Sequence, residues 1–217
     1  MNPRLADKIV LVTGIGAGDS GRIGRGAAVA CAFEAADVWA TGSAQDALTP
    51  LQGLPGVAIR VADITDPHRL TALLDDIGEV DILINVTEGN APNSAAPELD
   101  KDALDLAWAT TVQASVPVIE AFLPVLLKRG GAIINIAPPA PDDPDTGPNL
   151  AHETAAAALS GFGASLAARH DGVRCNTVRP GRLGVGSVES IAQACLYLAS
   201  GALITGQTLT LGPGAPA

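Results

Sequence analysis

Recognition of a phosphate is the first chemistry this chain suggests. Thr13-Gly14 is followed by Gly21-Arg22-Ile23-Gly24, between an apolar run and a helical pattern. Glycines at such a junction let backbone amides and a helix N-terminus face a pyrophosphate. A tight turn is the alternative use for them. The second apolar run ends in Thr41-Gly42-Ser43, where an acid would accept the 2′-hydroxyl of an NAD ribose. No acid stands there, and the small neutral pair leaves room for a 2′-phosphate. Arg22 or Arg25 could supply the charge; either could instead be a solvated residue at a helix start. The pattern favours NADP(H) over NAD. Asp19 puts a negative charge near a bound pyrophosphate and argues for weak binding.

The elements that must position these residues are legible as alternating patterns. Lys8 to Thr13 is a short continuous apolar run, as expected for a parallel strand buried on both faces. Val38 to Thr41, Val57 to Val61, Asp81 to Val86, Ala132 to Ala137, Val173 to Val178 and Thr208 to Leu211 read the same way, with helical segments between most of them. The first of those helices is expected from Arg25 to Ala36. The prediction is an α/β fold: one domain over 1–217, a doubly wound parallel sheet of about seven strands with helices on both faces. Asp102 to Arg129 and Leu150 to Arg169 are apolar on nearly every side and need more cover than one domain supplies. Pro138 to Pro148 reads as a solvated loop.

Composition limits the partners. The chain has 217 residues, a formal net charge of −10, and is 47% hydrophobic but only 3% aromatic. With no basic stripe to meet a phosphate backbone or an anionic bilayer, neither nucleic acid nor membrane is an expected partner. The longest weakly polar stretch, Ala155 to Ala168, is read as too short to span a bilayer. Cys31, Cys175 and Cys195 are odd in number and widely spaced, which suits buried free thiols, and the N-terminus shows no export signal. A cytoplasmic protein is expected.

Further landmarks follow in order: Val61-Ala-Asp63-Ile64-Thr65, Ile82-Leu-Ile-Asn85, Gly130 to Ile136 as GGAIINI, Val178-Arg179-Pro180-Gly181, and Ile204-Thr-Gly-Gln-Thr-Leu209. Along nearly its whole length the chain resembles the short-chain dehydrogenase/reductase family. The resemblance implies a Rossmann-type domain whose cofactor residues are Gly14, Gly21, Arg22, Ile23, Ser43, Asp63, Ile64, Asn85, Pro180 and Gly181. It implies that Asp63 binds adenine, that Asn85 lies beside the adenosine ribose and the sheet, and that Pro180-Gly181 border the nicotinamide. It also implies an assembly face made by the two apolar helices, 102–129 and 150–169, where the small Ala157, Ala158, Gly161 and Gly163 are expected to allow close helix approach.

The same resemblance exposes departures. The family's loop reads T-G-x-x-x-G-x-G, and this chain has four more residues between Gly14 and Gly24. The Asn-Asn-Ala-Gly that follows the family's fourth strand is here Asn85-Val86-Thr87-Glu88. Ungapped alignment puts His152 at the family's Tyr, Ala156 at its Lys, Pro138 at its Ser and Thr111 at its Asn. Histidine can give a proton near neutral pH; an ordinary polar residue at a helix start is the other reading of His152, and no Lys replaces the missing cation. After Gly181 the chain runs almost directly into the last helix at Val188, so the helices that close over a substrate in the family are missing. Two functions are carried forward. The favoured one is a non-catalytic subunit that assembles with itself or with an active homologue and binds NADP(H) weakly. The alternative is an NADP(H)-dependent ketoreductase or alcohol dehydrogenase using His152. A nucleotide-sensing regulator ranks third.

Overall fold

The computed structural model describes residues 3–87, 100–139, 149–184, 186–201 and 203–212. Seven strands form one parallel sheet: β1 (Ile9–Thr13), β2 (Asp37–Gly42), β3 (Val57–Val61), β4 (Ile82–Val86), β5 (Ala132–Ile136), β6 (Arg174–Pro180) and β7 (Thr208–Leu211). Their order is β3-β2-β1-β4-β5-β6-β7. The order reverses between β1 and β4, where an open α/β sheet leaves a crevice at its carboxyl edge. The central strands β1, β4 and β5 are mainly apolar because both of their faces are covered. Val10, Val12, Ile82 and Ile84 face one core with α1 (Gly18–Phe33) and α7 (Ser187–Ser200). Leu11, Leu83 and Ile133 face the other, with α3 (Pro67–Ile77) and α5 (Ala114–Arg129).

The short α2 (Gln45–Leu48) follows β2, while α4 (Lys101–Trp108) continues through a π-helical stretch, Ala109–Gln113, into α5. Pro117 of α5 has no N–H for the carbonyl of Gln113, so the regular ladder is broken where the π-helical stretch ends. The whole 101–129 helix, and not Ala155 to Ala168, is the chain's longest apolar helical segment. By length and composition it could cross a membrane. Here Val118, Ile119, Phe122 and Leu126 are fully buried on the sheet, as in a core helix.

Two sequence expectations change. α1 begins at Gly18, seven residues before the expected Arg25, so Gly21, Arg22, Ile23 and Gly24 lie inside it. The glycines serve packing: a Cβ on Gly21 would sit 1.9 Å from the Gly16 carbonyl oxygen, and one on Gly24 2.8 Å from the Ile15 side chain. The longer loop is thereby folded back, with Ile15 buried and its amide bonded to the Thr41 carbonyl. The second change concerns α6 (Leu150–Arg169), which starts where expected, capped by Asn149 accepting from the His152 amide at 3.0 Å. Gly163 faces inward, its Cβ position 3.2 Å from Thr177 Oγ1, whereas Ala157 and Gly161 face outward and a Cβ on Gly161 would meet nothing. Leu106, Trp108 and Leu150 are also exposed near this face. All three cysteines are buried and free.

Candidate functional site

At the topological switch the end of β1 and the end of β4 press together. Gly14 has φ +70°, and a Cβ there would lie 1.9 Å from the Val86 carbonyl oxygen. Behind it a polar row crosses the sheet in register, Thr13 beside Asn85 and Asn85 beside Asn135. Thr13 Oγ1 donates to Asn85 Oδ1 at 2.8 Å, which fixes the carboxamide at the rim of a cleft. That cleft, about 240 Å3, gathers Gly14, Ser43, Asp63, Ile64 and Asn85 of the expected cofactor set.

Its acid is preorganised. Asp63 Oδ1 accepts from the Thr65 amide at 2.9 Å and from the Thr65 hydroxyl at 2.6 Å. These bonds hold the Asp63 carboxyl below its ordinary range. An ionised carboxylate so placed suits an N–H donor such as an exocyclic amine. The opposite wall was not foreseen: Ala109, Thr110, Ala114 and Ser115 line it. They come from the π-helical stretch and the start of α5, and Pro117 was the sequence signal for that irregularity. Thr41, which precedes the lining residues Gly42 and Ser43, is fully buried, and its hydroxyl has no partner among the described residues.

The other expected residues lie elsewhere. Ile23 is 1% exposed in the core. Arg22 is exposed on α1 and bonded to Asp19 at 2.9 Å, so that acid carries its own counter-charge. In a helix only the first four amides lack an internal acceptor, which leaves Gly21 at that limit and Arg22 and Ile23 beyond it. Arg25 instead reaches over Gly21 to donate to the Ala47 carbonyl at 3.1 Å, beside the segment that follows Ser43. Pro180 and Gly181 border a separate cavity of about 580 Å3, shaped by the direct run from β6 into α7.

At the positions aligned with the family's catalytic groups, Thr111, His152 and Ala156 are all buried. The Thr111 carbonyl accepts from Ser115 Oγ at 2.6 Å. Burial pushes the His152 imidazole below its ordinary pKa, the nearby Glu153 carboxylate opposes that, and the Arg179 guanidinium adds to it. Folding brings Arg179 from β6 against Glu153 of α6, so a cation stands near His152. That pairing links two segments 26 residues apart and carries no local signal. The Pro138 to Pro148 loop lies outside the described residues from 140 onward. Among the described residues no cluster could hold a metal ion.

A dinucleotide fits these residues on its adenosine side, where Asp63, Asn85 and Ser43 converge. On its nicotinamide side the residue aligned with the family's lysine is Ala156, which is buried on α6. Comparison with known proteins agrees with the architecture. A family model described as enoyl-(acyl carrier protein) reductase matches residues 16–184. Dehydrogenase/reductase SDR family member 6 of Danio rerio is 31% identical, over 88% of this chain and 77% of that protein. The 3-oxoacyl-acyl-carrier-protein reductase of Escherichia coli is 30% identical over 95% of this chain and 96% of its own length. A short chain dehydrogenase structure from Mycobacterium smegmatis superposes with a TM-score of 0.81 at 22% identity, covering 99% of this chain and 95% of that one, which speaks to the fold alone. With the parallel sheet, the cleft at its switch point and these relatives together, the chain belongs to the short-chain dehydrogenase/reductase family.

Proposed function

We propose that this protein is a non-catalytic member of the family, a cytoplasmic subunit that holds NADP(H) weakly and assembles through α4–α5 and α6 with itself or with an active homologue. The observation that carries the reading is the state of the proton-donor position. His152 is 5% exposed, and Ala156, one helical turn on, supplies no cation beside it. An imidazole buried in this way, its pKa pushed down by desolvation, is poorly placed to protonate a substrate carbonyl. The free thiols suit a reducing compartment. Arg25 supports the preference for a 2′-phosphate, because its guanidinium stands next to the segment after Ser43.

The purified chain is expected to show no ketone-dependent oxidation of NADPH above the buffer rate. The second reading, an oxidoreductase acting through His152, is favoured by one observation, the Arg179 guanidinium close enough to act on that imidazole. Activity that disappears in His152→Phe, with the circular dichroism spectrum unchanged, would establish it.

Assembly gives an independent expectation. Ala157 and Gly161 leave α6 open to close approach, and burial of about 800 Å² per partner makes a standard specific interface. The wild type should scatter light as an oligomer at micromolar concentration. Gly161→Trp should reduce it to a smaller species, since a Cβ at this outward-facing position meets nothing within 4 Å in the monomer. A monomeric wild type removes self-assembly. It leaves only an obligate heteromer, tested by co-purification with a homologue that retains Tyr-x-x-x-Lys.

A further inference from the structure

The geometry points to an interaction surface between α1 and α7, a groove that a second copy of this chain fills with its own Phe33. The groove, about 420 Å3, is walled by Val29 and Ala30 of α1 and by Val188, Ala192 and Leu196 of α7. Phe33 stands at its edge and is 87% exposed. Single exposed apolar side chains are ordinary, whereas one beside an apolar groove extends a continuous patch. The patch thus carries a projection and a recess together, as a twofold contact between identical copies requires. It is independent of the α4–α5 and α6 face: α1 and α7 cover one side of the sheet, α5 and α6 the other.

Charge around the groove favours a second copy as the occupant. The two helices run the same way, because Gly26 meets Val188 near the start of α7 while Arg4 bonds both Glu34 and Gln193 further along. On α1 the exposed Arg22 lies one turn before Gly26, and Glu34 follows Phe33 at the far end. On α7 the exposed Glu189 lies at the near end, and Gln193, with Arg4 against it, lies beyond. A twofold axis running along the groove sets α1 of each copy against α7 of the other. Phe33 then meets the partner copy's Ala192 and Leu196, Arg22 its Glu189, and Glu34 its Arg4. Both charge contacts are of opposite sign. Such exposed pairs fix partner and orientation more than they add affinity, which comes from covering Phe33 and the groove.

Light scattering of the full chain after size-exclusion chromatography tests the inference. Phe33→Asp should halve the mass seen for the wild type, with an unchanged circular dichroism spectrum because the residue is exposed. Gly161→Trp should retain a dimer that the added Phe33→Asp converts to monomer. In that Gly161→Trp background Glu189→Arg should weaken the dimer by at least about threefold, and Arg22→Glu added to it should restore it. If Gly161→Trp changes nothing while Phe33→Asp still halves the mass, the α6 face is lost and this one stands. Equal masses for the wild type and Phe33→Asp overturn the inference, including the case in which the variant loses a different protein that co-purifies with the wild type. A charge swap that fails to restore the dimer overturns it as well.

Discussion

Asp81→Ala is expected to destabilise the fold by about 3 kcal/mol, lowering the melting temperature by roughly 6–12 °C. Asp81 is 4% exposed just before β4 and works as a junction. Arg129 donates to it from Nε at 3.0 Å and from Nη2 at 2.9 Å, the Ile9 amide donates at 3.0 Å, and Lys8 Nζ lies 3.6 Å away. Removing the acid leaves an amide at the start of β1 and the end of α5 without their shared acceptor. The figure is the lower end for a broken buried pair, because Arg129 and Lys8 keep solvent contact and Arg129 retains Glu79. Chemical denaturation near neutral pH measures it.

The same site predicts an acid dependence. Burial alone would raise the Asp81 carboxyl, but the hydrogen bonds from Arg129 and Ile9, with the charge of Lys8, outweigh it and hold the group below its ordinary 3.8. A folded pKa below the unfolded one gives stability that is complete above the unfolded value and lost as pH falls through the folded value. The gap between the wild type and Asp81→Asn should therefore be largest above about pH 5 and shrink steadily below about pH 4. A gap independent of pH would mean that the carboxylate charge contributes nothing.

Gly14→Ala should be the most damaging change at the cleft, with a loss of at least about 3 kcal/mol and no remaining nucleotide binding. The new Cβ would meet the Val86 carbonyl oxygen at 1.9 Å, and the obstacle is backbone, so no side chain can rotate away. The positive φ adds strain that alanine does not tolerate. Gly130→Ala is the control. Gly130 caps α5 at φ +63° with nothing within 4 Å of its Cβ position, so the strain acts there alone and should cost about 1 kcal/mol. Equal melting temperatures for the two variants would remove the steric argument.

How much was legible in the sequence follows from what is local. Runs such as Ile9 to Val12 and Ile82 to Ile84 are continuous because each strand is covered on both faces, and all seven strands fall within a few residues of the expected segments. The residues ending those strands, Gly14, Ser43, Asp63 and Asn85, were also readable, since a parallel sheet carries its crevice at its carboxyl edge. The start of α1 was not. Glycine weakens a helix locally, and only the packing of Gly21 and Gly24 on the folded-back loop shows why they are helical. Gly161 and Gly163, two residues apart in one apolar pattern, differ only in which way α6 turns them.

The amino-acid sequence by itself determined the fold class and the strand ends that build the cleft. These follow from hydrophobic period and from side-chain identity, which need no knowledge of distant neighbours. Tertiary structure alone decided that Arg179 of β6 brings a guanidinium toward Glu153 and His152 of α6. It also decided that Pro180 and Gly181 open on a cavity separate from the one holding Asp63. Charge, burial and hydrogen bonding act through space, so they depend on which segments the sheet brings together and are absent from any short stretch of the chain.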